Sequence, residues 1–171
     1  MNILNKKLLS FDDVLLIPQY SDIESRSEID TSLTLVKNNN SIKLDIPIIS
    51  SPMSTVTEAY MCNAIRNLGG LGIIHRYNTI SFQKKLTSFV YDKDVKSAAV
   101  GVTGDFRERL EELVNAGLKI VCLDIAHGDH ILMRDAIEFI SKEYPELFII
   151  AGNVSTPQAY ERLSMWGADA I

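Results

Sequence analysis

No stretch of the chain approaches the roughly 18–20 apolar residues that a membrane-spanning helix needs. The start, Met1-Asn2-Ile3-Leu4-Asn5-Lys6-Lys7, is basic, but no apolar core or small-residue cleavage site follows it. Neither a membrane anchor nor a secretory leader is expected. Cysteine is scarce: Cys62 and Cys122 stand far apart in apolar surroundings, with no CxxC partner and no metal-ligand spacing. That usage suits a reduced, cytoplasmic compartment and reads as two core thiols. Positive charge is short too. The 17 Lys and Arg residues face 22 Asp and Glu, a net charge of −5. The densest basic run, Arg107-Glu108-Arg109 followed by Glu111-Glu112, mixes signs and reads as a solvated helix face. A nucleic-acid surface needs a clustered Lys/Arg stripe, so none is expected.

What is present is an ordinary globular composition, 46% hydrophobic and 23% charged over 171 residues. That length suits one domain, burying about 70% of its unfolded surface. From residue 45 onward one pattern recurs: a short apolar run rich in β-branched residues, a turn, then an amphipathic stretch. The apolar runs cover residues 46–50, 71–75, 98–102, 119–126 and 147–151, and the amphipathic stretches 58–68, 81–91, 106–116, 131–143 and 157–166. Strands alternating with helices at this spacing predict βαβ units and a parallel sheet covered on both faces. Glycines at 69, 117 and 167 follow helix ends, and Ser155 or Thr156 with Pro157 opens the last helix. Gly69-Gly70-Leu71-Gly72 precedes a strand instead of linking strand to helix. It reads as a helix stop with tight packing, not a phosphate loop. Residues 1–44 differ and are expected to flank or plug the sheet, with a surface strand over 29–35 and a turn at Asn38-Asn39-Asn40. The whole is expected to form a single domain, 1–171, whose residues 45–171 are the βα units. Gly167-Ala168-Asp169-Ala170-Ile171 resembles the opening of a sixth strand. A sheet stopping mid-unit leaves apolar edges uncovered. The chain is therefore expected to be the front portion of something longer, which self-associates or pairs with a second polypeptide.

In such folds ligands sit at the carboxyl ends of the strands. Four loops are selected: Ser50-Ser51-Pro52-Met53-Ser54-Thr55, His75-Arg76-Tyr77-Asn78, Asp124-Ile125-Ala126-His127-Gly128-Asp129-His130, and Gly152-Asn153-Val154-Ser155. Asp124, at a buried strand end, must either bond the amides of its loop or face a ligand's ribose hydroxyls or amide. His75 reads equally as a supporting or a catalytic histidine. His127 and His130 lack a third ligand at metal spacing, so no metal is expected. Arg76 can meet a phosphate, a carboxylate or a surface partner. Tyr160 and Trp166 read as core or subunit contacts.

Several segments together resemble one family. They are Phe11-Asp12-Asp13-Val14-Leu15-Leu16-Ile17-Pro18, Ser25-Arg26-Ser27-Glu28-Ile29-Asp30, Ile49-Ser50-Ser51-Pro52-Met53, Gly70-Leu71-Gly72-Ile73-Ile74-His75-Arg76, Leu123-Asp124-Ile125-Ala126-His127-Gly128 and Ile150-Ala151-Gly152-Asn153-Val154. In this order, along nearly the whole chain, they resemble the amino-terminal part of the GMP reductase / IMP dehydrogenase family. The resemblance implies an α/β fold, a (β/α)8 TIM barrel of which about five and a fraction units are present, out of eight in roughly 250 residues. It implies a homotetramer when complete. It also implies that a cysteine forming the covalent adduct at the purine C2 lies in the loop after the sixth strand, past Ile171.

Carried over, the resemblance makes Ser51 and Met53 contacts to the purine mononucleotide, GMP or IMP. It makes Asp124, Ile125 and Ala126 a dinucleotide-binding loop, with Asn153 beside it. Ser25 and Arg26 become a cofactor contact reached from a neighbouring subunit. Arg76 stands where many reductases place a catalytic lysine; it keeps the charge but donates protons poorly, which leaves an electrostatic role. Ser54 replaces the family's usual aspartate. Residues 89–97 leave no room for the nucleotide-sensing module usual in IMP dehydrogenases. The reductase reading, GMP and NADPH to IMP and ammonia, is preferred. The alternatives are an IMP dehydrogenase without the module, using NAD to make XMP, and a non-catalytic nucleotide-binding fragment or subunit of a split barrel.

Overall fold

The computed structural model describes residues 9–38 and 40–171, with only the backbone given for Phe11. The readings of the basic start at 1–7 and of Asn39 in its turn lie outside the described residues. The chain divides into two compact units, one ending at Asp30 and one spanning Thr31–Ile171. In the first, two short 3-10 turns, Phe11–Asp13 and Arg26–Glu28, punctuate extended chain. Ser10 donates from its amide and its hydroxyl to Asp13 Oδ2 at 2.9 and 3.0 Å, which lowers the Asp13 pKa. Ser25 Oγ accepts from the Ser27 amide at 3.3 Å and so caps the second turn.

The second unit opens with an antiparallel hairpin, β1 (Leu33–Lys37) and β2 (Asn40–Leu44), with Leu33 opposite Leu44 and Lys37 opposite Asn40. The strand expected from residue 29 begins at Leu33, because Ile29 ends the preceding 3-10 turn. Alternation turns Leu33 and Leu35 inward, and with Ile42 they pack on Leu44, Leu71, Val95, Ile120 and Phe148. Leu71, Ile120 and Phe148 begin parallel strands, so the hairpin covers the strands' amino ends.

The βα units follow: β3 (Ile49–Ser50), α1 (Ala59–Asn67), β4 (Leu71–Gly72), α2 (Ile80–Phe89), β5 (Ser97–Val100), α3 (Phe106–Asn115), β6 (Ile120–Asp124), α4 (Ile131–Glu143), β7 (Phe148–Gly152) and α5 (Pro157–Trp166). β3 pairs parallel with β4, and β5, β6 and β7 pair parallel in order. A parallel bridge between Ile74 and Ala98 joins β4 to β5, and one between Ile150 and Ala170 adds the expected sixth-strand stub beside β7. The neighbour order therefore follows the chain without reversal. Among the described residues the outer members, β3 and the stub, do not pair, and no closed barrel is formed.

The helices form because apolar side chains recur at i, i+3, i+4 and i+7. In α4 these are Met133, Ala136, Ile137 and Ile140, all buried. Each large one contributes roughly 1.5–3 kcal/mol by leaving water. Thr156 accepts from the Ala159 amide and Pro157 fills the first helical position of α5. The glycine run at 69–72 acts as read from the sequence. Gly69 has φ +88°, and a Cβ on Gly72 would stand 2.7 Å from Cys62 Cα, so glycine lets α1 lie against β4. Trp166 packs on the main core, whereas Tyr160 is exposed. Among the described residues no helix is long and apolar enough to cross a membrane.

One reading fails here. Arg109 does not lie on a solvated face. It occupies the buried stripe of α3 with Phe106, Leu110 and Leu113, because 106, 109, 110 and 113 are spaced i, i+3, i+4, i+7.

Candidate functional site

The carboxyl ends of β3–β7 share one side of the sheet, and the loops leaving them carry the polar residues. After β3, Thr57 is fully buried and pins the loop. Its hydroxyl reaches Ser50 Oγ at 2.9 Å and Ser51 O at 2.6 Å, and its carbonyl accepts from the His75 amide at 3.3 Å. Ser51 and Met53 are left exposed on this pinned loop.

After β4, His75 is buried with both ring nitrogens engaged. Nδ1 accepts from the Tyr77 amide at 3.1 Å, and Nε2 faces Glu58 Oε1 at 3.4 Å. An accepting Nδ1 requires the proton on Nε2, so His75 organises the loop. Arg76 lies over the Tyr77 ring, 5.1 Å from its centroid. Its Nε is buried and has no hydrogen-bond partner. It lines a polar cavity of about 250 Å³ with Gly101, Thr103, Asp105, Arg109 and Ile125.

Across β5 the same end is held by side chains. Arg109 reaches Asp105, Asn78 and Gln83, and Gln83 Nε2 donates to Ala99 O on β5 at 2.8 Å. The Arg109 guanidinium holds the Asp105 carboxyl below its ordinary range, with a smaller push from Arg76.

After β6 and β7 the backbone itself joins the loops. Ile125 N donates to Gly152 O at 3.1 Å, Asn153 N to Ile125 O at 2.8 Å, and Gly128 N to Asn153 O at 2.7 Å. Arg162 of α5 pairs with Asp129 through Nε at 2.7 Å, which lowers the Asp129 pKa. Asp124 and Asn153 line a second cavity, of about 270 Å³, with Cys122, Gly152, Val154 and Ile171. No side-chain hydrogen bond holds the Asp124 carboxylate among the described residues, so it is not spent on its own loop. Strand alternation explains its place: Val121 and Leu123 are buried, while Cys122 and Asp124 turn to the other, half-buried face.

Both thiols are poor nucleophiles. Burial pushes Cys62 up to about 12, and burial with the Asp124 charge does the same to Cys122. His130 caps α4 by accepting from the Leu132 amide at 3.1 Å. Among the described residues no group of three potential metal ligands exists.

The fold thus brings Arg76 and Ile125 to one cavity and Asp124 and Asn153 to the adjoining one. Ala126 is exposed on the same β6 loop, and Ser51 and Met53 stay on the β3 loop. Ser25 and Arg26 belong to the first unit, in its second 3-10 turn. Sequence reasoning missed the loop after β5, with Thr103 and Asp105, and the residues that brace the site, Thr57, Gln83 and Arg109. The helical spacing of Arg109 was the available signal. Gln83 carries the same signal, since 83, 86, 87 and 90 are spaced i, i+3, i+4, i+7 and all are buried; Thr57 carries none in its spacing.

The profile of the IMP dehydrogenase / GMP reductase domain matches residues 8–171. The chain is 34% identical to a GMP reductase of Paracidovorax citrulli over 170 residues, covering 96% of this chain and 50% of that protein. It is 33% identical to a GMP reductase of Mycoplasma mycoides, covering 96% and 51%. It is 32% identical to an inosine-5'-monophosphate dehydrogenase of Borreliella burgdorferi, covering 99% and 54%. The chain spans about half the length of these curated relatives.

Proposed function

The chain belongs to the IMP dehydrogenase / GMP reductase family, and we propose that it forms the first βα units of a (β/α)8 barrel that reduces GMP to IMP and ammonia with NADPH. One observation carries the reading: the family-matched residues of the second unit, Ser51, Met53, Arg76, Asp124–Ala126 and Asn153, all fall at the carboxyl ends of parallel strands laid in chain order. The residues suit a nucleotide cofactor. Asp124 offers two unengaged carboxylate oxygens to a ribose diol, and the buried Arg76 Nε offers a donor to an anionic group. When bound, the cofactor supplies the hydride for the purine. Arg76 keeps its charge and acts electrostatically, and the backbone-tied loops after β6 and β7 fix the orientation of what binds there. Ser51 and Met53 hold the purine mononucleotide, and Ser25 and Arg26 reach the cofactor of a neighbouring subunit in a homotetramer. Covalent activation belongs to a cysteine loop supplied beyond Ile171, by a continuous or a separate carboxyl-terminal half. The reductase reading is supported by the alignments: the P. citrulli reductase aligns over 170 residues, whereas the B. burgdorferi dehydrogenase needs 221 positions against a chain of 171.

A dehydrogenase lacking the sensing module, oxidising IMP with NAD, is the second reading. It is favoured by the 32% identity to the B. burgdorferi dehydrogenase over 99% of the chain. Co-expression with the carboxyl-terminal half of a GMP reductase decides between them. We expect oxidation of NADPH that depends on GMP, and no turnover by the chain alone. Reduction of NAD that depends on IMP would select the dehydrogenase, and activity with neither pair would remove both readings.

A further inference from the structure

Arg109 is an unusual residue for the inner stripe of a helix. Its five N–H groups are all directed at acceptors. Nε faces both oxygens of Asp105 at 3.1 Å, and Nη2 meets Asp105 Oδ2 at 2.6 Å and Asn78 O at 3.0 Å. Nη1 meets Gln83 Oε1 at 2.8 Å and Asn78 Oδ1 at 3.4 Å. Asp105 is thereby gripped on both oxygens, although its side chain is 46% exposed. Arg76 lines the same cavity as Asp105, and its charge acts on Asp105, yet no ion pair joins the two and Arg76 Nε remains without a partner. A free carboxylate opposite a free guanidinium would close across so small a cavity.

We propose that Arg109 is a positioning residue: by engaging both oxygens of Asp105 it keeps that carboxylate off Arg76 and leaves Arg76 open to an anionic group of the bound ligand. Arg109 touches no ligand itself and acts through Asp105. The proposal rests on the reductase reading only in the choice of NADPH as probe.

The test compares Arg109→Met, Asp105→Asn and the double variant in the 171-residue chain, by fluorescence titration with NADPH and by nitrogen NMR of the Arg76 Nε–H without ligand. Arg109→Met should weaken NADPH binding by about tenfold or more, the scale of one charge-assisted hydrogen bond. The double variant should return to within about threefold of the parent, because the competing carboxylate is gone. Asp105→Asn alone should bind NADPH at least as well as the parent. A double variant as weak as Arg109→Met would show that Arg109 only supports packing, and weaker binding by Asp105→Asn would make Asp105 itself the contact. Either result overturns the proposal. If the parent chain binds no NADPH, the cofactor reading falls and the NMR arm decides the inference. The Arg76 Nε–H should then gain protection from exchange in Arg109→Met and lose it again in the double variant; no change overturns the proposal. Should Arg109→Met fail to fold, Arg109→Lys, which keeps the charge but loses the fork, is read in the same assays.

Discussion

The two halves of the site are joined by different means. The β6 and β7 loops are tied through main-chain amides of Ile125, Gly128 and Asn153, with the Arg162–Asp129 pair outside them. The β4 and β5 loops are joined by side chains converging on one buried guanidinium, Arg109. A main-chain tie survives most substitutions, because any residue supplies the amide and the carbonyl. A side-chain clamp concentrates the same task in one residue, and its loss leaves a buried charge network unsatisfied.

The largest effect that separates the two ends should come from the clamps. Arg109→Ala strands Asp105, Gln83 and Asn78, and should cost about 3 kcal/mol, or about 10 °C in Tm for a domain of this size. Arg162→Ala removes one half-buried pair at the edge of the loops and should cost about 1 kcal/mol or less, a clearly smaller Tm shift. Thermal melts of both variants make the comparison, and equal losses would erase it.

A smaller effect tests the main-chain end. A Cβ on Gly128 would stand 3.0 Å from Asn153 O and 3.2 Å from Asn153 N. Gly128→Ala should therefore push the β6 and β7 loops apart by a few tenths of an ångström, at about 1 kcal/mol. Faster hydrogen exchange at Ile125 and Asn153 should report it, with the β4 loop unaffected.

The smallest effect is acid sensitivity. The Asp105 carboxyl is lowered from its ordinary 3.8, first by its hydrogen bond to Arg109. A lowered carboxylate contributes stability that is complete above 3.8 and is lost as pH falls below it, through the value in the folded protein. Since Asp105 is partly exposed, solvent screens the effect to a fraction of a kcal/mol. Amides of the β4 and β5 loops should exchange faster just below this pH, while those of Ile125 and Asn153 stay protected.

The contrast also explains what could be read in advance. All five helices were expected within about two residues of their ends, because each carries its own apolar period and most carry a cap or a glycine stop. The loops at the strand ends were legible for the same reason, since each places polar residues directly after an apolar run. The loop after β5 was passed over, because Gly101-Val102-Thr103-Gly104-Asp105 holds no residue whose chemistry stands out alone. Asp105 matters through Arg109, four residues on, and through Asn78, 31 residues from Arg109 in the chain. Arg109 was misread because charge suggests solvent, while its position on the stripe places it inside.

By itself the sequence determined the alternation of strands and helices, the direction of each strand, the face of each helix that turns inward and the loops that hold chemistry. These depend on local periodicity and on the short-range hydrogen bonds of caps and turns. Only the tertiary structure decided which polar groups are already satisfied and which are left over. Thr57, His75 and Arg109 are fully engaged; Asp124 and the Arg76 Nε are not. For Arg109 that distinction depends on Asn78 and Gln83, 31 and 26 residues away, and for Thr57 and His75 on the way one loop folds back against its neighbour, which local periodicity does not encode.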